Sequence, residues 1–172
     1  FAAPYVCADE AESETPVFSD DFEGETISGW GVFGGSGELV LDTDNKKSGN
    51  ASLNISGREK SYNSPSITLD SYVTKLETYK LTGWIYHEGS QTESLTVTVK
   101  FTDSVNNDNY SGAAQIEAEP ETWTYFEGTV TVPEDTKSTF MYIEAQNSAL
   151  IYNIDDIRIY GKAPQTDRKS VV

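Results

Sequence analysis

Cysteine and histidine are almost absent from the chain, since each occurs once in 172 residues. The single cysteine, Cys7, leaves no partner for an intramolecular disulfide, and so few Cys and His residues argue against a zinc site. His87 stands in the stretch YHEGSQ with no recognisable nucleophile motif beside it, which is weak ground for a Ser-His-Asp triad. The sequence therefore gives little support to zinc or serine-nucleophile chemistry.

Basic residues are also few: 12 Lys and Arg stand against 28 Asp and Glu, for a formal net charge of -16. Such a charge repels phosphate backbones and anionic lipid surfaces, so we expect no nucleic-acid or membrane partner. No apolar run approaches the roughly 20 residues of a membrane span. A divalent cation or a neutral polymer suits this charge better.

Apolar periodicity is missing at both ends of the chain. Residues 1–16 begin with FAAPYVCADEAE, which resembles the remnant of a secretory signal followed by a disordered leader. That reading implies a secreted or cell-surface protein, and a plain N-terminal extension is the alternative. Residues 162–172 are rich in polar and basic residues, as a linker or tail is. One domain is therefore expected over residues 17–161.

The central part of the sequence alternates apolar and polar residues with a period of two. Segments rich in Val, Ile, Thr, Tyr and Phe are separated by clusters of Gly, Asn, Asp, Ser and Pro, which is typical of strands and turns. The predicted strands lie within residues 38–41, 52–55, 79–86, 95–101, 122–132, 139–145 and 151–160. Only residues 71–79 could hold a helical turn. Seven to ten short strands predict an all-β fold, an antiparallel β-sandwich.

One stretch, SLNISGREKSYNSP at residues 52–65, begins as a strand and then breaks. Gly57 permits a bend, and Pro65 stiffens the way out of it. Between them lie Arg58 and Tyr62. The pattern alone does not explain why one turn holds an arginine and a tyrosine together.

The aromatic residues fall into two groups. Trp84 and Trp123 stand in strands with apolar neighbours and are predicted to be core residues. Tyr62, Tyr110 and Tyr142 have more polar neighbours. A tyrosine offers a flat apolar face and a hydroxyl, which suits a pyranose ring, while a nearby arginine or carboxylate can hydrogen-bond the sugar hydroxyls.

Carboxylates are abundant, and the loop FSDDFEGE at residues 18–25 holds several of them. Calcium takes oxygen ligands from carboxylates and main-chain carbonyls. If the first and last strands pair, Glu23 and Asp155 could meet at one edge, with carbonyl groups of the turn at residues 46–51 completing the shell. A solvated acidic loop is the alternative reading.

Several motifs, taken in order, resemble carbohydrate-binding module family 22, the xylan-binding modules often joined to secreted bacterial xylanases. The motifs are FEGE followed by GW at 29–30, SGNASLNISGRE at 48–59, YKLTGWIY at 79–86, Trp123, MYIEAQ at 141–146 and YNIDDIRIY at 152–160. The resemblance covers residues 17–161. It implies a sandwich of jelly-roll type with a groove on its concave face.

By the same resemblance, Arg58 and Tyr62 should lie at the rim of the groove, and Tyr110, Tyr142 and Glu144 within it. Tyr142 and Glu144 are two residues apart, so a strand turns both to one face. Tyr62 stands where members of the family usually carry tryptophan, and a smaller ring offers less area for stacking.

The resemblance also implies a structural Ca²⁺ near the ends of the domain. Glu23 and Asp155 would be side-chain ligands, and Asp21 and Asn50 are further candidates. The implied protein is a monomeric, non-catalytic module that binds xylan or mixed-linkage β-glucan and holds a covalently linked catalytic domain on it. Two alternatives stay open: a glycoside hydrolase with Glu144 as acid or base, and a structural or adhesion module that binds no sugar.

Overall fold

The computed structural model describes residues 14–165, which form eleven β-strands and no helix. The strands β1 to β11 span Phe18–Asp20, Gly31–Phe33, Glu38–Asp42, Ser52–Ser56, Ser64–Thr68, Thr78–His87, Glu93–Thr102, Asp108–Ala118, Thr124–Thr131, Ser138–Ala145 and Tyr152–Tyr160. The predicted all-β class is confirmed. Over the same residues, nothing in the structure is a helix long and apolar enough to cross a membrane.

The strands form two antiparallel sheets packed face to face. The first sheet has the order β3-β4-β11-β6-β9, and the second has the order β2-β5-β10-β7-β8. In the first sheet β4 pairs with the first half of β11, and β1 pairs with its second half. The expected pairing of the first and last strands is therefore present, and the sandwich predicted from the sequence is confirmed.

The core lies between the sheets and is built by the alternation of each strand. Along β6, Tyr79, Leu81 and Ile85 point inward and are almost fully buried. The hydroxyl of Tyr79 donates a hydrogen bond of 2.7 Å to the carbonyl of Lys162, so burial of this ring leaves its polar end satisfied. The inward residues of the other strands complete one continuous apolar layer.

Two tryptophans predicted to be core residues are not in the core. Trp84 and Trp123 are half-buried and lie on the outer face of the first sheet. In β6 the inward positions are Leu81 and Ile85, so Trp84 has the opposite parity and points outward with Lys80. The prediction relied on apolar neighbours, which do not decide the face of a strand.

Residues 71–77 form turns and connecting segments, with one hydrogen bond of helical spacing, from the N–H of Val73 to the carbonyl of Leu69 at 3.2 Å, and β6 begins at Thr78. At the chain ends, strand structure begins at Phe18 and ends at Tyr160. Cys7, the signal-like stretch and most of the predicted tail lie outside the described residues, so the domain limits stay a prediction.

Candidate functional site

A groove runs along the outer face of the second sheet, over strands β10, β7 and β8. Its first part has a volume of 620 Å³ and its second part a volume of 320 Å³, and Glu144 lines both. The pairing of β10 with β7 explains which residues line each part, because Tyr142 lies opposite Thr98 and Glu144 lies opposite Thr96. The two parts are successive stretches of one path along the strands.

Three aromatic side chains form the walls of the first part of the groove: Phe33, Tyr62 and Tyr110. Tyr62 is 45% exposed and Tyr110 is 58% exposed. Phe33 and Tyr62 meet edge to face, with ring centroids 6.3 Å apart. Phe33 was not predicted from the sequence. It lies in the three-residue edge strand β2 and reaches the groove through the pairing of β2 with β5.

Tyr142 lies in the floor of the groove, beneath Phe33. The two rings are stacked, with centroids 4.2 Å apart and an interplanar angle of 4°, and Tyr142 is only 4% exposed. Burial, followed by the charge of Glu144, raises the pKa of Tyr142 to about 12. Tyr142 thus lines this part of the groove, but its ring is covered by Phe33, whose outer face is the one turned toward the groove.

Glu144 provides a carboxylate at the junction of the two parts of the groove. The hydroxyl of Thr98 donates to one of its oxygens at 3.3 Å. Burial raises the pKa of Glu144, while Thr98 and the positive charge of Arg58 act in the opposite direction. The second oxygen is a strong hydrogen-bond acceptor for a hydroxyl in the groove.

Arg58 lies behind the groove and not at its rim, which corrects the sequence-based expectation. It is 8% exposed, and its guanidinium also lies over the ring of Tyr152 at 5.1 Å. All five of its N–H groups donate to main-chain carbonyls, at 2.6 to 3.1 Å: those of Ser61, Asn63, Ala145, Asn147 and Leu150. An arginine has five such donors, so none is left for a sugar hydroxyl.

The turn after β4 holds Tyr62 beside Phe33. Gly57 adopts a positive φ of 64°, as the sequence predicted for the bend. Asn63 is fully buried, accepts hydrogen bonds from the N–H groups of Glu59 and Lys60, and donates to the carbonyl of Phe33 at 3.1 Å. The turn is thus fixed both to itself and to the edge strand that carries Phe33.

The second part of the groove is polar. It is lined by Ser61, Ser94, Thr96, Gln115, Glu144, Ala145 and Gln146. The hydroxyl of Thr96 donates to the side-chain oxygen of Gln115 at 3.0 Å, which leaves the amide N–H groups of Gln115 free to donate elsewhere. One end of the groove therefore offers rings, and the other offers donors and acceptors.

The groove contains one carboxylate among the described residues that line it, Glu144. Hydrolysis of a glycosidic bond by the usual route requires two carboxyl groups flanking it. His87 is buried, with Nε2 2.8 Å from the carbonyl of Ala118, and its Nδ1 accepts the N–H of Gly89. The arrangement is suited to binding and lacks the second group that hydrolysis needs.

The residues predicted to bind calcium lie around the turn at residues 46–51. The carboxylate of Glu23 accepts hydrogen bonds of 2.8 to 3.0 Å from the main-chain and side-chain N–H groups of Asn50. Asp155 accepts the N–H groups of Lys47 and Ser48, at 2.8 and 3.3 Å. Two carboxylates from distant parts of the chain therefore hold one turn.

These side chains do not form a ready-made cluster. Among residues 14–165 there is no group of three or more His, Cys, Asp or Glu side chains placed to hold a metal ion. Asp21 is exposed, and its carboxylate accepts the N–H of Glu23 at 3.4 Å. Asp155 is fully buried, and burial is the main cause that raises its pKa to about 6. None of the salt bridges among the described residues involves Asp155.

Comparison with known proteins gives the family of this chain. Residues 16–150 match the sequence profile of a family described as carbohydrate binding domain. The chain belongs to this family. As a carbohydrate-binding domain it is a non-catalytic module, in agreement with the single carboxylate of its groove.

Curated relatives of this carbohydrate-binding domain are much longer enzymes. Endo-1,4-beta-xylanase A of Thermoanaerobacterium saccharolyticum is 30% identical over 149 residues, which are 85% of this chain and 13% of that protein. Exoglucanase XynX of Acetivibrio thermocellus is 27% identical over 168 residues, which are 94% of this chain and 15% of that protein. The chain spans between 13% and 16% of the length of the curated relatives it matches.

Solved structures share the fold. The CBM22-1 xylan-binding domain of Paenibacillus barcinonensis Xyn10C superimposes with a TM-score of 0.81 at 24% identity, covering 90% of this chain and 99% of that one. The CBM22-1 and GH10 modules of Clostridium thermocellum Xyn10B, complexed with xylohexaose, also give 0.81, at 20% identity, covering 89% of this chain and 30% of that one. The jelly-roll architecture and the resemblance to family 22 are confirmed.

Proposed function

We propose that the groove of this carbohydrate-binding domain binds a xylan chain or a closely related β-linked glycan such as mixed-linkage β-glucan. The observation that carries the proposal is the junction of aromatic rings with a carboxylate: the exposed Tyr62 and Tyr110 and the half-buried Phe33 stand beside Glu144 in one part of the groove. Sugar rings stack on the aromatic faces, and their hydroxyls donate to Glu144.

The relatives support xylan as the first choice. Several curated relatives carry the name endo-1,4-beta-xylanase, and a solved neighbour of the same fold is complexed with xylohexaose. One relative is named xylanase/beta-glucanase, which keeps β-glucan as the second ligand. Each stacking contact contributes about 1 kcal/mol, so we expect moderate affinity.

The domain acts as a monomer joined to a catalytic domain in one polypeptide, on this proposal. The support is that the matched segment is a small part of each long relative. A groove-bound polysaccharide then keeps the attached enzyme at high effective concentration near its substrate. A plant polysaccharide does not enter cells, so the place of action is outside the cell.

Isothermal titration with xylohexaose and cellohexaose tests the groove. Tyr62→Ala and Tyr110→Ala should each weaken binding about 5-fold to 10-fold, since each removes one stacking contact. Leu76→Ala is the matched control, because Leu76 is an exposed apolar side chain in the loop before β6. Wild-type affinity in both tyrosine variants would contradict the proposal that the glycan binds in the groove.

Two other outcomes separate the alternatives. Release of reducing ends from xylan, lost in Glu144→Gln, would establish a hydrolase. Unchanged migration in gels that contain xylan or β-glucan would favour a structural or adhesion module that binds neither glycan. Each result is independent of the affinity of the short oligosaccharides.

We also propose that a structural Ca²⁺ binds beside the turn at residues 46–51, where Glu23 and Asp155 would hold it. The supporting observation is a buried carboxylate, Asp155, for which the described salt bridges supply no cation. Hard oxygen donors of this kind, with carbonyls of the turn, suit Ca²⁺. Asp21 and Asn50 are candidates for the remaining positions.

Thermal melting with and without a chelator tests this ion. We expect the melting temperature to fall when calcium is removed and to recover on its return, because an ion that binds only the folded state stabilises it. Asp155→Asn should remove the dependence, whereas Asp44→Asn, in the exposed loop after β3, should keep it. Identical melting with tightly chelated and calcium-loaded protein would refute the site.

A further inference from the structure

A further cavity among the described residues opens on the outer face of the first sheet and extends to the end of the sandwich. It has a volume of 740 Å³, against 620 Å³ for the aromatic part of the groove. Its floor is made by Val40, Asn54 and Asn153 on the outer face of the first sheet, and its walls are the loops at 43–45, 88–91 and 147–151. Glu93, the first residue of β7, also lines it, so the cavity reaches the end of the sandwich. We name it the amide cleft, after the two asparagines in its floor.

Strand register places an aromatic surface directly beside the amide cleft. Asn54 pairs with Val40 and Asn153, Asn153 pairs with Tyr86, and the next row runs from Asp155 through Trp84 to Tyr125. All of these positions share the outward parity of their strands. The turn at residues 46–51 covers Asp155, which is fully buried. Tyr86, opposite Asn153, therefore joins the amide cleft to the aromatic side chains.

Four rings make up this surface, which we name the aromatic patch: Trp84, Tyr86, Trp123 and Tyr125. Trp84 and Tyr125 have centroids 5.3 Å apart, and so do Tyr86 and Trp123. Lys47 covers Trp84, with Nζ 4.3 Å from the ring centroid, whereas Tyr125 is 47% exposed. Trp84 thus packs against Tyr125 and is partly covered by Lys47, while Tyr125 is the exposed ring of the patch.

Polar groups beside the aromatic patch are fixed in direction. Asn153 donates to Asp42 and to Ser52, both at 2.8 Å, while Asn54 donates to Asn153 at 2.9 Å. This network holds amide and carboxylate oxygens at the cleft floor, where hydroxyl groups of a ligand can donate to them. Glu88 adds a further carboxylate at the wall.

The chemistry of this surface selects the kind of ligand. Flat rings beside ordered amides and carboxylates match a sugar chain, which has apolar ring faces and hydroxyl edges. The carboxylates of the cleft and the net charge of -16 oppose a polyanion. We propose that the amide cleft and the aromatic patch form a second binding surface, for a neutral polysaccharide chain.

A second surface changes what the domain does with a fibrous substrate. The groove lies on the outer face of the second sheet and the aromatic patch on the outer face of the first, so one domain can hold two separate chains. Binding at two places raises retention on a dense polysaccharide far more than retention of a short oligosaccharide. The inference goes beyond the groove and does not depend on which glycan the groove prefers.

Tryptophan fluorescence reads this surface separately from the groove. The chain has three tryptophans: Trp84 and Trp123 belong to the aromatic patch, and Trp30 is buried against Phe22. The residues that line the groove include none. Titration with xylohexaose or cellohexaose should change the tryptophan emission, and the change should persist in a Tyr62→Ala, Tyr110→Ala double variant.

Calorimetry and retention on insoluble xylan complete the test. We expect two oligosaccharides per protein for the wild type and one for a Trp123→Ala, Tyr125→Ala double variant, whose retention on insoluble xylan should fall about tenfold or more. Trp123→Phe, Tyr125→Phe keeps the rings and should retain wild-type behaviour. Thermal melting of each variant establishes that it is folded.

Three outcomes would overturn the inference. One is a stoichiometry of one with unchanged tryptophan emission at saturation. Another is wild-type retention on xylan by the folded Trp123→Ala, Tyr125→Ala variant. The third is self-association of the wild type that this variant abolishes without any loss of glycan binding. The wild type could also bind one oligosaccharide, with binding lost in Tyr125→Ala and kept in Tyr110→Ala. That result would support the second surface and reject the groove.

Discussion

Phe33 lies flat on Tyr142, with ring centroids 4.2 Å apart and an interplanar angle of 4°. The pair joins the edge strand β2 to the central strand β10, and it turns a buried tyrosine into the support for an accessible phenylalanine. A ligand in the groove therefore meets the ring of Phe33 before that of Tyr142.

Replacement of Phe33 tests whether its ring, stacked on Tyr142, contacts the ligand. Phe33→Ala should weaken glycan binding about 5-fold to 10-fold and lower the free energy of unfolding by about 1–2 kcal/mol, because both the stacking surface and the aromatic pair are lost. Titration calorimetry and urea denaturation measure the two effects. Phe33→Tyr keeps the ring and should stay close to wild type in both. Undiminished affinity in Phe33→Ala would mean that the ligand does not use this wall.

We expect Arg58 to contribute to the stability of the fold and to make no direct contact with the glycan. Arg58→Ala removes the donors of five carbonyl groups, so we expect the free energy of unfolding to fall by about 3 kcal/mol or more. Arg58→Lys should rescue little, since one ammonium group cannot reach five acceptors. Lys60→Ala, at an exposed site in the same turn, is the control. A stable Arg58→Ala protein with selective loss of glycan affinity would restore the direct role predicted from the sequence.

Gly34 makes room for Tyr62. Its φ is 76°, and a Cβ at this position would lie 2.6 Å from the Tyr62 ring and 2.7 Å from the amide of Asn63. Gly34→Ala should therefore displace Tyr62 and weaken glycan binding, besides a backbone cost of about 1 kcal/mol. Gly35→Ala is a matched control, since Gly35 has a φ of 87° and no atom within 4 Å of its Cβ position. Equal affinities of the two variants would contradict the role of Gly34.

Glu144 should make the melting temperature depend on pH. Its pKa is raised in the folded state by burial, so the folded protein holds this proton more tightly than the unfolded chain does. The stability that protonation of Glu144 contributes is fully present below the pKa of this group in the unfolded chain. It is lost as the pH rises through the higher pKa of the folded protein. Glu144→Gln should therefore melt at a higher temperature than the wild type at about pH 7 and at the same temperature below about pH 4.

The same substitution should weaken glycan binding at neutral pH by roughly tenfold, because an amide is a poorer acceptor than a carboxylate. Glu134→Gln, at an exposed loop position, provides the control for both melting and affinity. A variant that melts below the wild type at neutral pH would show that Glu144 stabilises the fold in its charged form.

Much of the fold could be predicted from local pattern. Strands β6 and β7 alternate apolar and polar residues, and β10 and β11 are rich in Ile, Tyr and Phe, so the positions of these four strands were evident from the sequence. Strand β8 was missed because its inward residues include Ala114 and Ala118, which give a weak hydrophobic period. Strand β5 was missed because Pro65 stands within it, paired with the edge strand β2.

The candidate site was predictable in part. Tyr62, Tyr110 and Glu144 do line one groove, as the resemblance implied. Phe33 was beyond reach, because a three-residue strand gives no period and its place depends on tertiary pairing. The burial of Arg58 was equally hidden, since three of its five acceptors follow Glu144 in the chain, far from the turn in sequence.

The outward tryptophans, by contrast, left a signal in the sequence. Trp84 has the parity of Lys80 and Thr82, while Leu81 and Ile85 have the other. Counting parity from these unambiguous residues places Trp84 on the outer face, whereas judging it by its immediate neighbours does not.

The pairing of β1 with β11 has a mechanical consequence. Phe18 lies opposite Ile159, so the chain enters and leaves the sandwich at the same end of one antiparallel pair. A pulling force applied through both ends would load these hydrogen bonds one at a time, as a zipper opens, and not all together in shear. Under tension β1 should peel away first, while the second sheet and its groove keep their shape.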